Sequence, residues 1–175
     1  AETDFVAKNA VFIELADKVL GAAVASGAAD AEALNAAFIG EKSVAEVVDE
    51  TAATLGEKIV VRRVSRLAGE HIGVYLHRTA KDLPPQVGVL VASDAAGSQI
   101  AGEVAMHVAA YSPSYLSRED VPEQLVADER RIAEETARNE GKPEVALTKI
   151  VEGRLTGFFK DQVLLEQAFA RDPKK

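Results

Sequence analysis

"EHIGVYLHRT", residues 70–79, alternates along most of its length. Ile72, Val74 and Leu76 fall on one side, and His71, Gly73, Tyr75 and His77 on the other. This is the two-residue period of a strand, not the 3.6-residue period of a helix. The stretch decides the fold because everything before residue 58 reads as helical. Thr3 or Asp4 can cap a helix running to about Val24, with Phe12, Ala16, Val19, Leu20 and Ala23 as its apolar stripe. Asp30 caps a short helix carrying Leu34, Ala37 and Phe38. "SVAE" (43–46) is a capping box, Ser43 with Glu46 three residues on. It opens a helix with Val44, Val47, Val48, Thr51 and Leu55 on one face, which Gly56 ends.

Two more strand-like runs flank the alternating stretch. "KIVVRRVSRL" (58–67) is rich in β-branched residues, and "QVGVLVAS" (86–93) follows the proline-rich loop "AKDLPP" (80–85). Short connections favour antiparallel pairing. The expected class is therefore α+β, with helices packed on a small three-stranded antiparallel sheet. Val74 and Leu76 are expected inside, with His71, Tyr75 and His77 on the more open face.

Downstream, "QIAGEVAMHVAAY" (99–111) reads as another helix, ended by "SPSYL" (112–116). From Val121 the chain turns highly charged. Leu125 and Ile132, seven apart, suit a narrow seam. "NEGKP" (139–143) reads as a joint between two helices, and Val145, Ile150, Val151 and Leu155 mark the second arm. A protruding antiparallel coiled-coil hairpin is expected over about 121–159. "VLLEQAF" (163–169) has no evident packing partner downstream. The predicted organisation is a core subdomain over 1–115 and a second subdomain over 116–175 that carries the hairpin.

The chain has 175 residues and a net charge of −8. An acidic balance without a basic cluster argues against DNA or RNA as the main partner. No apolar run reaches the roughly 18 residues of a membrane span. There is no cysteine, hence no disulfide framework and no Cys-based metal site. His71 and His77 share a strand face but lie roughly 20 Å apart at about 3.3 Å per residue, too far to share a metal. "GEKS" (40–43) and "EGKP" (140–143) lack the spacing of a phosphate-binding loop. With no triad spacing either, the residues point to an interaction protein and not an enzyme. The enzyme alternative would be a small hydrolase using His77 or His107.

Several stretches together resemble bacterial translation elongation factor Ts. "TDFVAKN" (3–9) is similar to that family's most recognisable motif. "GEKIVVRRV" (56–64), "VGVLVAS" (87–93), "MHVAAYSPSYL" (106–116) and "GKPEVALTKIVEGRLTGFF" (141–159) match in order, the last resembling the second arm of the family's hairpin. The family's N-terminal helical module, its strand leading into the motif and its strand-and-helix segment after the position of Phe169 are not expected here. The loop "RTAKDLPPQ" (78–86) stands where many members have a shorter Gly-rich turn.

The resemblance implies a guanine-nucleotide exchange factor acting on elongation factor Tu, with no catalytic residues, no cofactor and no nucleotide bound by the chain itself. It also implies the bacterial cytoplasm or an organellar matrix, with neither nucleic acid nor membrane as partner. In the family, the Asp–Phe pair of the motif enters the GTPase domain near its magnesium and phosphate site. The implied partner-binding residues are Thr3, Asp4, Phe5, Val6, Leu55, Gly56 and His77. Periodicity offers plainer roles for some of them. Phe5 lies seven residues from Phe12 and could be core, Leu55 could be core, and Gly56 a helix stop. The alternative from another class is a scaffold or adaptor without exchange activity.

Overall fold

A computed structural model describes residues 1–172. The chain divides into two compact units, Ala1–Ser98 and Gln99–Lys175. Helix 101–111 thus groups with the second unit, whereas the sequence reading set the boundary at 115. The class is α+β, as the alternating stretch predicts.

The first unit opens with two helices where one was expected. α1 (Asp4–Ala7) is a single turn capped by Thr3, whose hydroxyl accepts the Val6 N–H. α2 (Ala10–Ser26) starts afresh because the Asn9 side chain accepts the Val11 N–H. A second cap inside an apparently continuous pattern breaks it. Asp30 caps α3 (Ala31–Ala36). A two-residue hairpin that the sequence did not suggest follows: β1 (Phe38–Ile39) and β2 (Lys42–Ser43), turning at Gly40 with φ +64°. It draws Phe38 out of the expected helix and leaves it exposed. The capping box of Ser43 and Glu46 forms as expected, and α4 (Val44–Leu55) ends at Gly56 in the left-handed conformation. The Ser43 hydroxyl and N–H hold the Glu46 carboxyl below its ordinary pKa.

The third strand is absent. Residues 58–69 run without strand pairing, and β3 (His71–His77) and β4 (Val87–Ser93) form a two-stranded antiparallel sheet in the register His71↔Ser93 to His77↔Val87. The β-branched residues of 58–67 are used differently. Ile59 is buried, and Val61 and Val64 are partly buried, against a core formed by α2, α3 and α4 around Leu15, Leu34, Val44 and Val48. β-Propensity reports fit to a half-buried surface, and helices supply that surface as well as a neighbouring strand does. The core of this unit therefore lies among helices and not on the sheet. The expected burial of the apolar side of β3 fails in consequence: Ile72, Val74 and Leu76 are 40, 55 and 61% exposed, while on the opposite face His71 and His77 are exposed as expected and Gly73 and Tyr75 are half-buried.

In the second unit, α5 (Ala101–Tyr111) turns Ala101, Ala105 and His107 inward. α6 (Glu123–Asn139) and α7 (Glu144–Gln162) form the antiparallel hairpin, turning at Gly141 with φ +72°. On the second arm the expected Val151 and Leu155 do form the seam, but on the first arm it lies one position from the expected Ile132. Ala133 and Ala137 are buried with Leu147, Val151 and Leu155, whereas Ile132 is exposed and Val145 is 95% exposed near the turn. Small residues on one arm let bulkier ones on the other fill the space between them. Arg130–Glu152 (2.6 Å) and Arg154–Glu140 (2.8 Å) bridge across the hairpin.

"VLLEQAF" does find a partner, upstream of itself. Val163 is fully buried, the Leu164 N–H donates to Tyr115 O at 2.9 Å, and Arg118 grips Glu166 through two hydrogen bonds at 2.5 and 2.7 Å.

Candidate functional site

All seven residues implied as partner-binding lie in the first unit. α1 carries three of them, Asp4, Phe5 and Val6, and presents these in two directions. Val6 is 8% exposed and anchors the turn, whereas Phe5 is 79% exposed and Asp4 is exposed beside it. This excludes the core reading of Phe5, despite its spacing from Phe12. A one-turn helix followed by a new cap rotates Phe5 out of the register that α2 would impose. The Lys8 ammonium lies 5.3 Å from the centroid of the Phe5 ring.

Leu55 and Gly56 close α4. Leu55 is partly buried against the helical core, and Gly56 has φ +70° with its N–H bonded to Ala52 O at 2.9 Å. Both plainer roles are therefore present in the structure: Leu55 packs and Gly56 stops the helix. A Cβ at Gly56 would meet nothing within 4 Å, so the position is open on its outer side.

The structure brings these two segments together through a residue to which the sequence reading gave no role. The Glu57 carboxylate accepts the Thr3 N–H at 2.8 Å, and also the Thr3 hydroxyl and the Glu2 N–H. The Thr3 hydroxyl is the main cause that holds the Glu57 carboxyl below its ordinary pKa. The motif of residues 3–6 and the Leu55–Gly56 pair are thus held side by side. The only local signal was an acid next to a helix-ending glycine; its partner is 54 residues away, beyond any sequence periodicity.

His77 stands apart from that pair. It is exposed, and its Nδ1 lies 3.1 Å from the Tyr75 hydroxyl. Among the described residues no hydrogen bond joins it to residues 3–6. The loop that begins after it does reach α1, where Lys8 Nζ meets Asp82 at 3.2 Å. That hydrogen bond holds the Asp82 carboxyl below its ordinary pKa. Leu83, buried, pins the loop from inside.

His107, weighed above as an enzyme candidate, is a core residue at 3% exposure. Its Nδ1 accepts the Ala170 N–H at 3.1 Å, so Nε2 carries the proton and donates to Gln167 Oε1 at 2.9 Å. Both ring nitrogens are taken up by internal hydrogen bonds. Among the described residues no three or more His, Asp or Glu side chains are grouped to hold a metal ion, and no helix is long and apolar enough to cross a membrane.

The family model described as elongation factor TS matches residues 2–175. The chain is 78% identical over its whole length to elongation factor Ts of Beutenbergia cavernae, of which it covers 62%. It is 61% identical over 173 residues to the Kineococcus radiotolerans protein of that name, covering 99% of this chain and 63% of the relative. For the Micrococcus luteus elongation factor Ts the figures are 58% over 177 residues, 99% and 64%. The chain therefore spans a little under two thirds of the length of the curated relatives it matches. With a family match over residues 2–175 and identity of this order along the whole of this chain, it belongs to the elongation factor Ts family.

Proposed function

We propose that the chain acts as a guanine-nucleotide exchange factor on elongation factor Tu, using Asp4 and Phe5 as the element that enters the partner's magnesium and phosphate site. The observation that carries this reading is Phe5: a large apolar side chain, 79% exposed at the end of a one-turn helix whose other side is anchored by Val6. An aromatic held outward beside a carboxylate adds nothing to the core and suits insertion into a partner.

The mechanism is thermodynamic linkage. A GTPase holds GDP through phosphate contacts and a magnesium ion that offsets phosphate charge. A factor that binds the nucleotide-free GTPase better than the GDP-bound form must weaken GDP binding by the same factor. Phe5 would supply contacts made only in the nucleotide-free state. Asp4 would bring negative charge toward the phosphates, which disfavours GDP further. Leu55, Gly56 and Thr3 would frame the contact, and His77 would add a second one. No covalent step is involved, and the nucleotide stays on the partner throughout.

The test is the release of labelled GDP from elongation factor Tu, with magnesium present, as the chain is added. Acceleration that saturates with chain concentration is expected. Binding to elongation factor Tu without acceleration would refute the exchange reading and leave an adaptor.

A further inference from the structure

α1 is a single turn, too short to hold its own direction by helical hydrogen bonding. What holds it therefore sets where Asp4 and Phe5 point. Val6 supplies burial on one side, and Lys8 is tied to Asp82 at the C-terminal end. At the N-terminal end the hold is Glu57. One carboxylate takes both the N–H and the hydroxyl of Thr3, the residue that directly precedes Asp4. The same hydroxyl oxygen accepts the Val6 N–H at 3.4 Å. Two attachment points on one residue restrict rotation about it, which a single hydrogen bond would not do.

Glu57 is itself firmly placed. It follows the left-handed Gly56, its N–H bonds to Ala52 O at 3.3 Å, and Ile59 two residues on is buried. A rigid path thus runs from the twelve-residue α4 through Gly56 and Glu57 to Thr3 and the exposed pair. We propose that Glu57 is a positioning residue for nucleotide exchange: by clamping Thr3 to the end of α4 it presents Asp4 and Phe5 in the orientation that enters the partner. This rests on the exchange reading above. Pre-set orientation removes an ordering cost from the encounter, and small misplacements of a working group carry large rate penalties. The Thr3 hydroxyl holds the Glu57 carboxyl low, so it is ionised near neutral pH and both its oxygens accept.

The experiment compares Glu57→Ala, Glu57→Gln, Phe5→Ala and the Glu57→Ala/Phe5→Ala double variant of the full chain. GDP release from elongation factor Tu is measured against chain concentration, with thermal melting on the same samples. Glu57→Ala is expected to lower the maximal release rate about tenfold with the melting temperature little changed, while amide hydrogen exchange at Thr3 quickens. Glu57→Gln keeps an oxygen for the Thr3 N–H and is expected to recover most of the rate. In the Phe5→Ala background, Glu57→Ala is expected to cost clearly less than it does alone, because only the Asp4 share of its effect is left. The inference is overturned if Phe5→Ala slows release while Glu57→Ala does not, or if the two losses simply multiply. It is also overturned if Thr3 exchanges no faster in Glu57→Ala. If Phe5→Ala itself leaves release unchanged, the exchange reading of the motif fails first, and the role of Glu57 falls with it.

Discussion

Truncating Phe5 to alanine separates the two roles its spacing allows. At a buried site, Phe→Ala costs about 3–5 kcal/mol. Phe5 is 79% exposed, so only about a fifth of its surface is covered by the rest of the chain. Scaling the loss by that fraction gives under about 1 kcal/mol. The contact with Lys8 at 5.3 Å adds about 0.5 kcal/mol, the value for an exposed cation–π pair. For a chain of this size a loss near 1 kcal/mol lowers the melting temperature by about 2–4 °C. Exchange should respond on a larger scale, because the ring's apolar surface would be buried only in the complex. A fall of tenfold or more in GDP release corresponds to about 1.4 kcal/mol or more in the barrier. Stopped-flow GDP release and thermal melting on one preparation read both quantities. A drop in melting temperature above about 10 °C with normal exchange by the folded fraction would refute the reasoning, since it would mean that the ring packs inside.

Gly56→Ala should cost about 1 kcal/mol, because φ +70° is unfavourable for any residue with a Cβ and no neighbour crowds the site; an unchanged melting temperature would contradict that origin. His77→Ala should change stability by no more than about 0.5 kcal/mol while weakening association with elongation factor Tu in a titration, and a large stability loss with unchanged association would make it a structural residue. Leu155→Ala opens the seam between α6 and α7 and should cost about 2–3 kcal/mol, toward the low end for buried leucines because the seam is narrow. Hydrogen exchange should show faster opening in α6 and α7 with β3 and β4 unaffected, and equal acceleration in both units would argue against semi-independent behaviour of the hairpin unit.

The features legible in the sequence are those whose causes lie within a few residues. The Ser43–Glu46 capping box, the Asp30 cap, the glycine stops at Gly56 and Gly141, the alternation of residues 71–77 and the turn between the two arms were all readable. Each rests on a side chain meeting backbone or turn geometry close by. The same holds for the motif "TDFVAKN", through which the family could be recognised. Tertiary structure decided whatever depends on distant partners. The residues of 58–67 are β-prone, but their burial among α2, α3 and α4 fixed their role, and it took the apolar side of β3 out of the core. Asn9 broke one expected helix into two, and that break turned Phe5 outward against its seven-residue spacing from Phe12. Glu57 and Thr3 are 54 positions apart, so nothing local marks the clamp between them. Periodicity records the kind of surface a segment needs, whereas the fold decides which distant surface meets it.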